Sequence, residues 1–215
     1  MNLTPALLPE MIDAIDAVIE KNAEEVTELD QAIGDGDHVT NLQRGIAALK
    51  TQKEELAGLE WSTAWQKIGM TMMSTVGGAS GSLYGTFFIA MSKASAGQSM
   101  SLVTFAEAFS QGVESVKKRG RAGAGEKTML DVLIPVADSL HKAAAEGTSL
   151  SEVLQILPDI AIAGMQSTRD MIATKGRASF LGERTIGHID AGAKTMQLMI
   201  CAVVDVLQGQ SAAPA

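Results

Sequence analysis

Cys201 is the only cysteine in the 215-residue chain. That excludes an internal disulfide and any cysteine-rich zinc site. Basic residues are also short: 17 Lys and Arg face 25 Asp and Glu, a net charge of −8. A general nucleic-acid binder needs a basic face, and this balance argues against one. It leaves room for a small phosphate ligand, which backbone N–H groups and a metal ion can hold. No apolar run approaches the ~20 residues that span a bilayer, and Met1-Asn2-Leu3-Thr4-Pro5 shows no signal-peptide pattern. The expectation is a cytoplasmic protein with no membrane or direct nucleic-acid partner. At roughly 150 residues per domain a single domain is expected, placed over residues 1–210 with a frayed tail at 211–215.

Glycine is abundant instead, 21 of 215, although the other common residues are helix formers that tolerate it poorly inside helices. Leu8, Met11, Ile12, Ile15, Val18 and Ile19 follow the spacing of one helical face. A first helix is expected from Leu8 to about Ala32. Further helices are expected over about 41–50, 62–74, 82–93, 101–120 and 128–146. Gly120 reads as the left-handed cap of the fifth. Ser149 with Glu152 reads as a capping box opening the seventh. Pro158 should kink or split that helix near Leu157. An eighth runs over about 192–207. No segment alternates convincingly as a strand. The fold class is therefore all-α.

The glycines cluster after helices one, three, five and seven. If successive helices run up and down with short loops, all four clusters fall at one end and form a loop rim. Loops held by a rigid scaffold are where function concentrates.

The first cluster reads Asp30-Gln-Ala-Ile-Gly-Asp35-Gly-Asp37-His38. Two convergent carboxylates at about 4 Å repel by on the order of 4 kcal/mol at an effective dielectric near 20. A hard divalent cation such as Mg²⁺ offsets that. Ordinary turn chemistry accounts for the same residues equally well. An EF-hand is excluded, because Ile46 stands where the twelfth-position Glu is needed. The second cluster, Val76-Gly-Gly-Ala-Ser80-Gly-Ser82, leads into a helix whose free N–H groups favour an anion. Its spacing does not make a nucleophile elbow around Ser80. A tight small-residue helix turn is the competing reading. The third, Gly120-Arg-Ala-Gly-Ala-Gly125-Glu-Lys127-Thr, has one residue too many for a Walker loop and no preceding strand. The fourth, Lys175 to Gly192, sets Arg177, Arg184 and His188 among glycines. Arginine suits bidentate phosphate contact, and a solvated basic loop is the alternative. His141 reads as a surface histidine.

Four segments carry a resemblance along nearly the whole chain: Gly34-Asp-Gly-Asp-His38, Thr75-Val-Gly-Gly-Ala-Ser-Gly81, Lys127-Thr-Met129 and Lys175-Gly-Arg-Ala-Ser-Phe-Leu-Gly-Glu-Arg184. In these motifs, and in their order, the chain resembles the nucleotide-binding L subunits of bacterial dihydroxyacetone kinases. The resemblance implies a closed barrel of eight antiparallel up-and-down helices with the nucleotide site on the loop rim. It implies that Asp30, Asp35 and Asp37 hold two Mg²⁺ ions against the nucleotide phosphates. It assigns nucleotide contacts to His38, Val39, Thr40, Asn41, Ala79, Ser80, Gly120, Met129, Arg177, Asp190, Ala191 and Gly192, with Arg177 also the catalytic group. Two positions depart from the family pattern: Ala191 replaces a usual proline, and Val39 a common glycine.

The activity implied is phosphoryl transfer by a divided enzyme. A K subunit holds dihydroxyacetone, an M-type phosphohistidine protein donates phosphate, and tightly bound ADP on this chain cycles with ATP. The chain length matches the L part alone, which favours this phosphotransferase-linked form. A homodimer is left open. Two other readings stand beside it: a component of a kinase for another small keto-sugar such as erythrulose, and an ADP-loaded module docking on a transcription regulator.

Overall fold

The computed structural model describes residues 4–212, and among these every regular element is a helix. After a 3-10 turn at Pro5–Leu7 come α1 (Leu8–Lys21), α2 (Ala23–Ile33), α3 (His38–Lys50) and α4 (Lys53–Ala57). They are followed by α5 (Trp61–Thr75), α6 (Gly78–Ser95) and α7 (Leu102–Gly120). The last three are α8 (Leu130–Glu146), α9 (Leu150–Ser167) and α10 (Ala191–Ala212). Two 3-10 segments, Thr168–Asp170 and Arg177–Thr185, lie between α9 and α10.

The packing order is a ring. Going round, α1, α3, α5, α6, α7, α8, α9 and α10 each pack on the next, and α10 returns to α1. Each helix turns its apolar stripe inward, as amphipathic helices must. The shared core includes Ile19, Leu42, Leu133, Val153 and Val204, all nearly inaccessible. An edge-to-face pair, Phe87 and Phe109, has ring centroids 5.2 Å apart across α6 and α7. The helices enclose an apolar cavity of about 260 Å³, lined among others by Ile12, Trp65, Tyr84, Leu154 and Met196.

Several expectations need correction. The helix expected over 8–32 is two helices. At Asn22 the backbone leaves the helical region, at φ −106° and ψ 11°, and its side-chain amide donates to the Val18 carbonyl at 2.7 Å. Asparagine competes for backbone acceptors in this way, and the helix breaks there. Pro158 does not split α9, which runs on to Ser167. Proline leaves the carbonyl four residues back without its helical donor. That carbonyl, Leu154 O, accepts instead from Gln208 Nε2 of α10 at 3.0 Å. The left-handed residue ending α7 is Arg121, at φ 48°, rather than Gly120. The capping box at Ser149 and Glu152 is present with both bonds. The boundary expected at 211 falls inside α10 as it runs to Ala212. Residues 213–215 of the expected tail lie outside the described residues.

Candidate functional site

Four helices, α3, α6, α8 and α10, begin directly after the four glycine-rich connections. Contacts among their first turns bring these starts together. His38, the first residue of α3, faces Ser80 of α6 with Nδ1 to Oγ at 3.4 Å and Thr195 of α10 with Nε2 to Oγ1 at 2.9 Å. A Cβ on Gly192 would lie 3.8 Å from the Cβ of Met129, which caps α8. At the end of α7, Arg119 Nε donates to Ser82 Oγ at 2.6 Å. The positive dipole ends of several helices thus share one rim, a setting suited to an anion.

The carboxylates meet at the same place. Asp30, Asp35 and Asp37 each offer an oxygen within 4.8 Å of the others. Asp30 lies in the last turn of α2, and its Oδ2 accepts from the His38 backbone N–H at 3.1 Å. Arg177 reaches across from the fourth connection, Nε 2.9 Å from Asp35 Oδ2. All-oxygen, anionic donors at this spacing fit a hard divalent cation such as Mg²⁺.

Burial tunes the groups behind the cluster. It pushes the His38 pKa below the ordinary histidine value, more than Asp30, Asp37 and Asp35 raise it. Thr195 Oγ1 donates to the Gly192 carbonyl at 3.1 Å. It therefore accepts from His38 Nε2–H, which leaves Nδ1 as the unprotonated nitrogen on the Ser80 side. Tyr84, 3.5 Å from Thr195 through its hydroxyl, is pushed up to about 12 by burial. Burial also raises Asp190 to about 6, against the pull of the Ala193 N–H it accepts and of Lys127.

Of the residues singled out by sequence, His38, Ser80, Met129, Asp190 and Gly192 lie at or against the rim with the three aspartates, and Arg177 reaches it. Asn41 lies on the inner side of α3, where a Cβ on Gly77 would come 2.5 Å from its Oδ1. Val39 and Ala191 are buried within the first turns of α3 and α10, Thr40 is exposed, and Ala79 is exposed in the first turn of α6. Gly120 is the last residue of α7. Sequence reasoning missed Thr195, which lies one turn beyond Ala191, Glu126, and Asp131, whose carboxylate accepts from Gly125 N at 2.5 Å and Thr128 N at 2.8 Å. It also gave Lys127 no structural role. Only the helical spacing from Ala191 could have pointed to Thr195.

An all-helical ring with a carboxylate cluster facing several helix starts matches a known family. A model described as the DAK2 domain covers residues 32–205, and the chain belongs to that family. It is 42% identical, over 86% of its own length and 88% of the relative's, to "PEP-dependent dihydroxyacetone kinase 1, ADP-binding subunit DhaL" of Listeria innocua serovar 6a. It is 41% identical, over 85% and 88%, to "PEP-dependent dihydroxyacetone kinase, ADP-binding subunit DhaL" of Escherichia coli K12. The crystal structure of the dihydroxyacetone kinase of C. freundii in its native form superimposes with a TM-score of 0.71 at 25% identity. That match takes in 95% of this chain and 35% of the crystallised one, so the chain corresponds to about a third of that protein.

Proposed function

We propose that this chain is the ADP-binding subunit of a phosphoenolpyruvate-dependent dihydroxyacetone kinase, a phosphotransferase component. The observation that carries the reading is the convergence of Asp30, Asp35 and Asp37 within 4.8 Å beneath Arg177 at a rim of helix starts. The similarity to ADP-binding subunits over nearly their full length supports it. In this reading Asp30, Asp35 and Asp37 hold two Mg²⁺ ions. Held there, Mg²⁺ would neutralise charge on the nucleotide phosphates, and positioning with charge neutralisation is most of what phosphoryl transfer requires. The chain's own residues do the rest. The first turns of α3, α6 and α10 set His38 to Asn41, Ala79, Ser80 and the Asp190–Gly192 turn against the nucleotide. Gly120 and Met129 line the nucleotide from the third connection. Arg177 orients the phosphates and balances charge in transfer.

A carbonyl substrate has no evident place among these residues. The reading therefore assigns dihydroxyacetone to a K-type partner and phosphate donation to an M-type phosphohistidine protein. Phe180, 86% exposed three residues beyond Arg177, supports the view that a partner covers this edge. No observation favours the erythrulose-type or regulator-docking alternatives.

The test is reconstitution. The isolated chain with ATP is expected to leave dihydroxyacetone unphosphorylated, and a K subunit with a phosphorylated M-type donor is expected to restore turnover in a coupled assay. Turnover by the isolated chain with ATP refutes the divided-site reading.

A further inference from the structure

Lys127 is absent from the nucleotide-facing set, yet it is both buried and held in an uncommon backbone conformation. It is 2% exposed, and lysine is almost never fully buried without a partner. Its φ of 60° places a non-glycine residue in the left-handed region, a conformation with a real energetic cost. Burial depresses its pKa, and Asp190, Asp170 and Asp131 oppose that only in part. Among the described residues the ammonium nonetheless pairs with no carboxylate: Nζ donates to the backbone carbonyls of Thr168 and His188.

Those two carbonyls are the two ends of one excursion. Between Thr168 and His188 the chain leaves the ring, forms only 3-10 turns, and carries Arg177 toward Asp35. Irregular connections of this length are uncommon unless they serve a function, and closing one costs entropy. Further bonds rise from the closed base. Gly187 N donates to Arg169 O at 2.8 Å, and Ala173 N to Thr185 Oγ1 at 3.0 Å. Beyond them Glu126, the neighbour of Lys127, accepts from Thr174 Oγ1 at 2.7 Å. The same carboxylate pairs with Lys175 Nζ at 3.2 Å. Arg177 is two residues further on.

We propose that Lys127 is a positioning residue for Arg177: it ties both ends of the 168–188 excursion to one ammonium and so fixes the platform from which Arg177 reaches the Asp35 carboxylate. Direct phosphate binding by Lys127, as in a Walker loop, is excluded by its burial and its two carbonyl partners. The inference rests on the functional reading only where ADP serves as probe.

The experiment uses the full chain and two readouts. In hydrogen exchange without nucleotide, Lys127→Met should speed exchange across residues 171–187 by roughly tenfold or more while α5, α6 and α7 keep their protection. In calorimetric titration with ADP and Mg²⁺, Arg177→Ala should weaken binding by roughly tenfold in the parent. In the Lys127→Met background the same change should weaken it by about twofold or less, because a displaced arginine has little left to lose. A lysine that merely stabilises the fold would leave the two Arg177→Ala effects equal. Equal effects, or unchanged exchange over 171–187, overturn the proposal. Should Lys127→Met fail to fold, Glu126→Ala removes the outer stitch and carries both readouts with the same outcomes. If the parent chain binds no ADP with Mg²⁺, the functional reading fails, and the exchange readout alone decides the role of Lys127.

Discussion

Single side chains at the rim carry opposed charges whose effects separate cleanly by substitution. Asp35 pairs with Arg177, but the arginine side chain is 71% exposed, and such surface pairs contribute about 0–1 kcal/mol. Asp35→Asn or Asp37→Asn also removes a repelling charge from the cluster. Both variants should therefore keep the helical circular-dichroism spectrum and a thermal midpoint close to the parent's, while losing Mg²⁺-dependent ADP binding. Unchanged ADP affinity in both variants would sink the metal assignment. Asp190 makes a different demand. Its native pKa of about 6 lies above the ordinary 3.8, so the folded state holds that proton more tightly than the unfolded state. Its contribution to stability is then present below about pH 4 and is lost as pH rises toward 6. Asp190→Asn removes the titration while keeping an oxygen to accept from Ala193 N, which the native carboxylate meets at 2.8 Å. In chelator-treated protein the variant should gain on the parent as pH rises from about 4 to 6, by at most about 3 kcal/mol. Water at the half-buried edge of the residue lowers that figure. Urea unfolding between pH 4 and 8 measures the difference, and a pH-independent gap between the two proteins contradicts it.

At the scale of helices, close approach decides stability more than propensity does. Gly164 in α9 faces the start of α8, where an added Cβ would lie 2.4 Å from Asp131 O and 3.0 Å from the Val132 Cα. Replacing a helical glycine by alanine ordinarily gains about 1 kcal/mol. Here Gly164→Ala pushes a methyl group into backbone that cannot swing aside, and overpacking of this kind costs about 1–3 kcal/mol. A lowered thermal midpoint is expected, and a raised one would show that the two helices can part without cost. Sequence periodicity and the glycine clusters located most helices and all four rim connections, because both are local signals. Two helix starts were read late: α3 begins at His38 and α6 at Gly78, the second where Gly, Ala and Ser look like loop. The glycines that mark the connection also open the helix, and the tertiary setting decides which they do. Pro158 misled for a related reason, since the Gln208 amide that replaces its missing donor lies 50 residues away. Lys127 was illegible for the same cause. Its two carbonyl partners lie 41 and 61 residues along the chain, so its burial could not be read from a local sequence that imitates a Walker loop.

The whole molecule sets four glycine-rich connections around one end of a closed helical ring, with one of them clasped by Lys127. A rim built in this way can enclose a nucleotide from several sides, which favours a retained cofactor over an exchanging substrate. Retention has a quantitative consequence. Surviving hours of dialysis requires an off-rate of roughly 10⁻⁴ s⁻¹ or slower, and with an on-rate of about 10⁶ M⁻¹s⁻¹ the Kd is near 10⁻¹⁰ M. That corresponds to about −13.6 kcal/mol. Backbone N–H groups at helix starts and one exposed arginine fall well short of such a value. The charge attraction between the Asp30, Asp35 and Asp37 cluster, Mg²⁺ and the phosphates must supply much of the remainder. Protein purified in Mg²⁺, dialysed and then denatured should accordingly release about one equivalent of ADP per chain. The same protein dialysed against a chelator should release the nucleotide before denaturation, because without a cation between them the carboxylates would repel the phosphates. Chain recovered empty from Mg²⁺ buffer, exchanging ATP freely and turning over with a K-type partner alone, would mean that the nucleotide is an ordinary substrate.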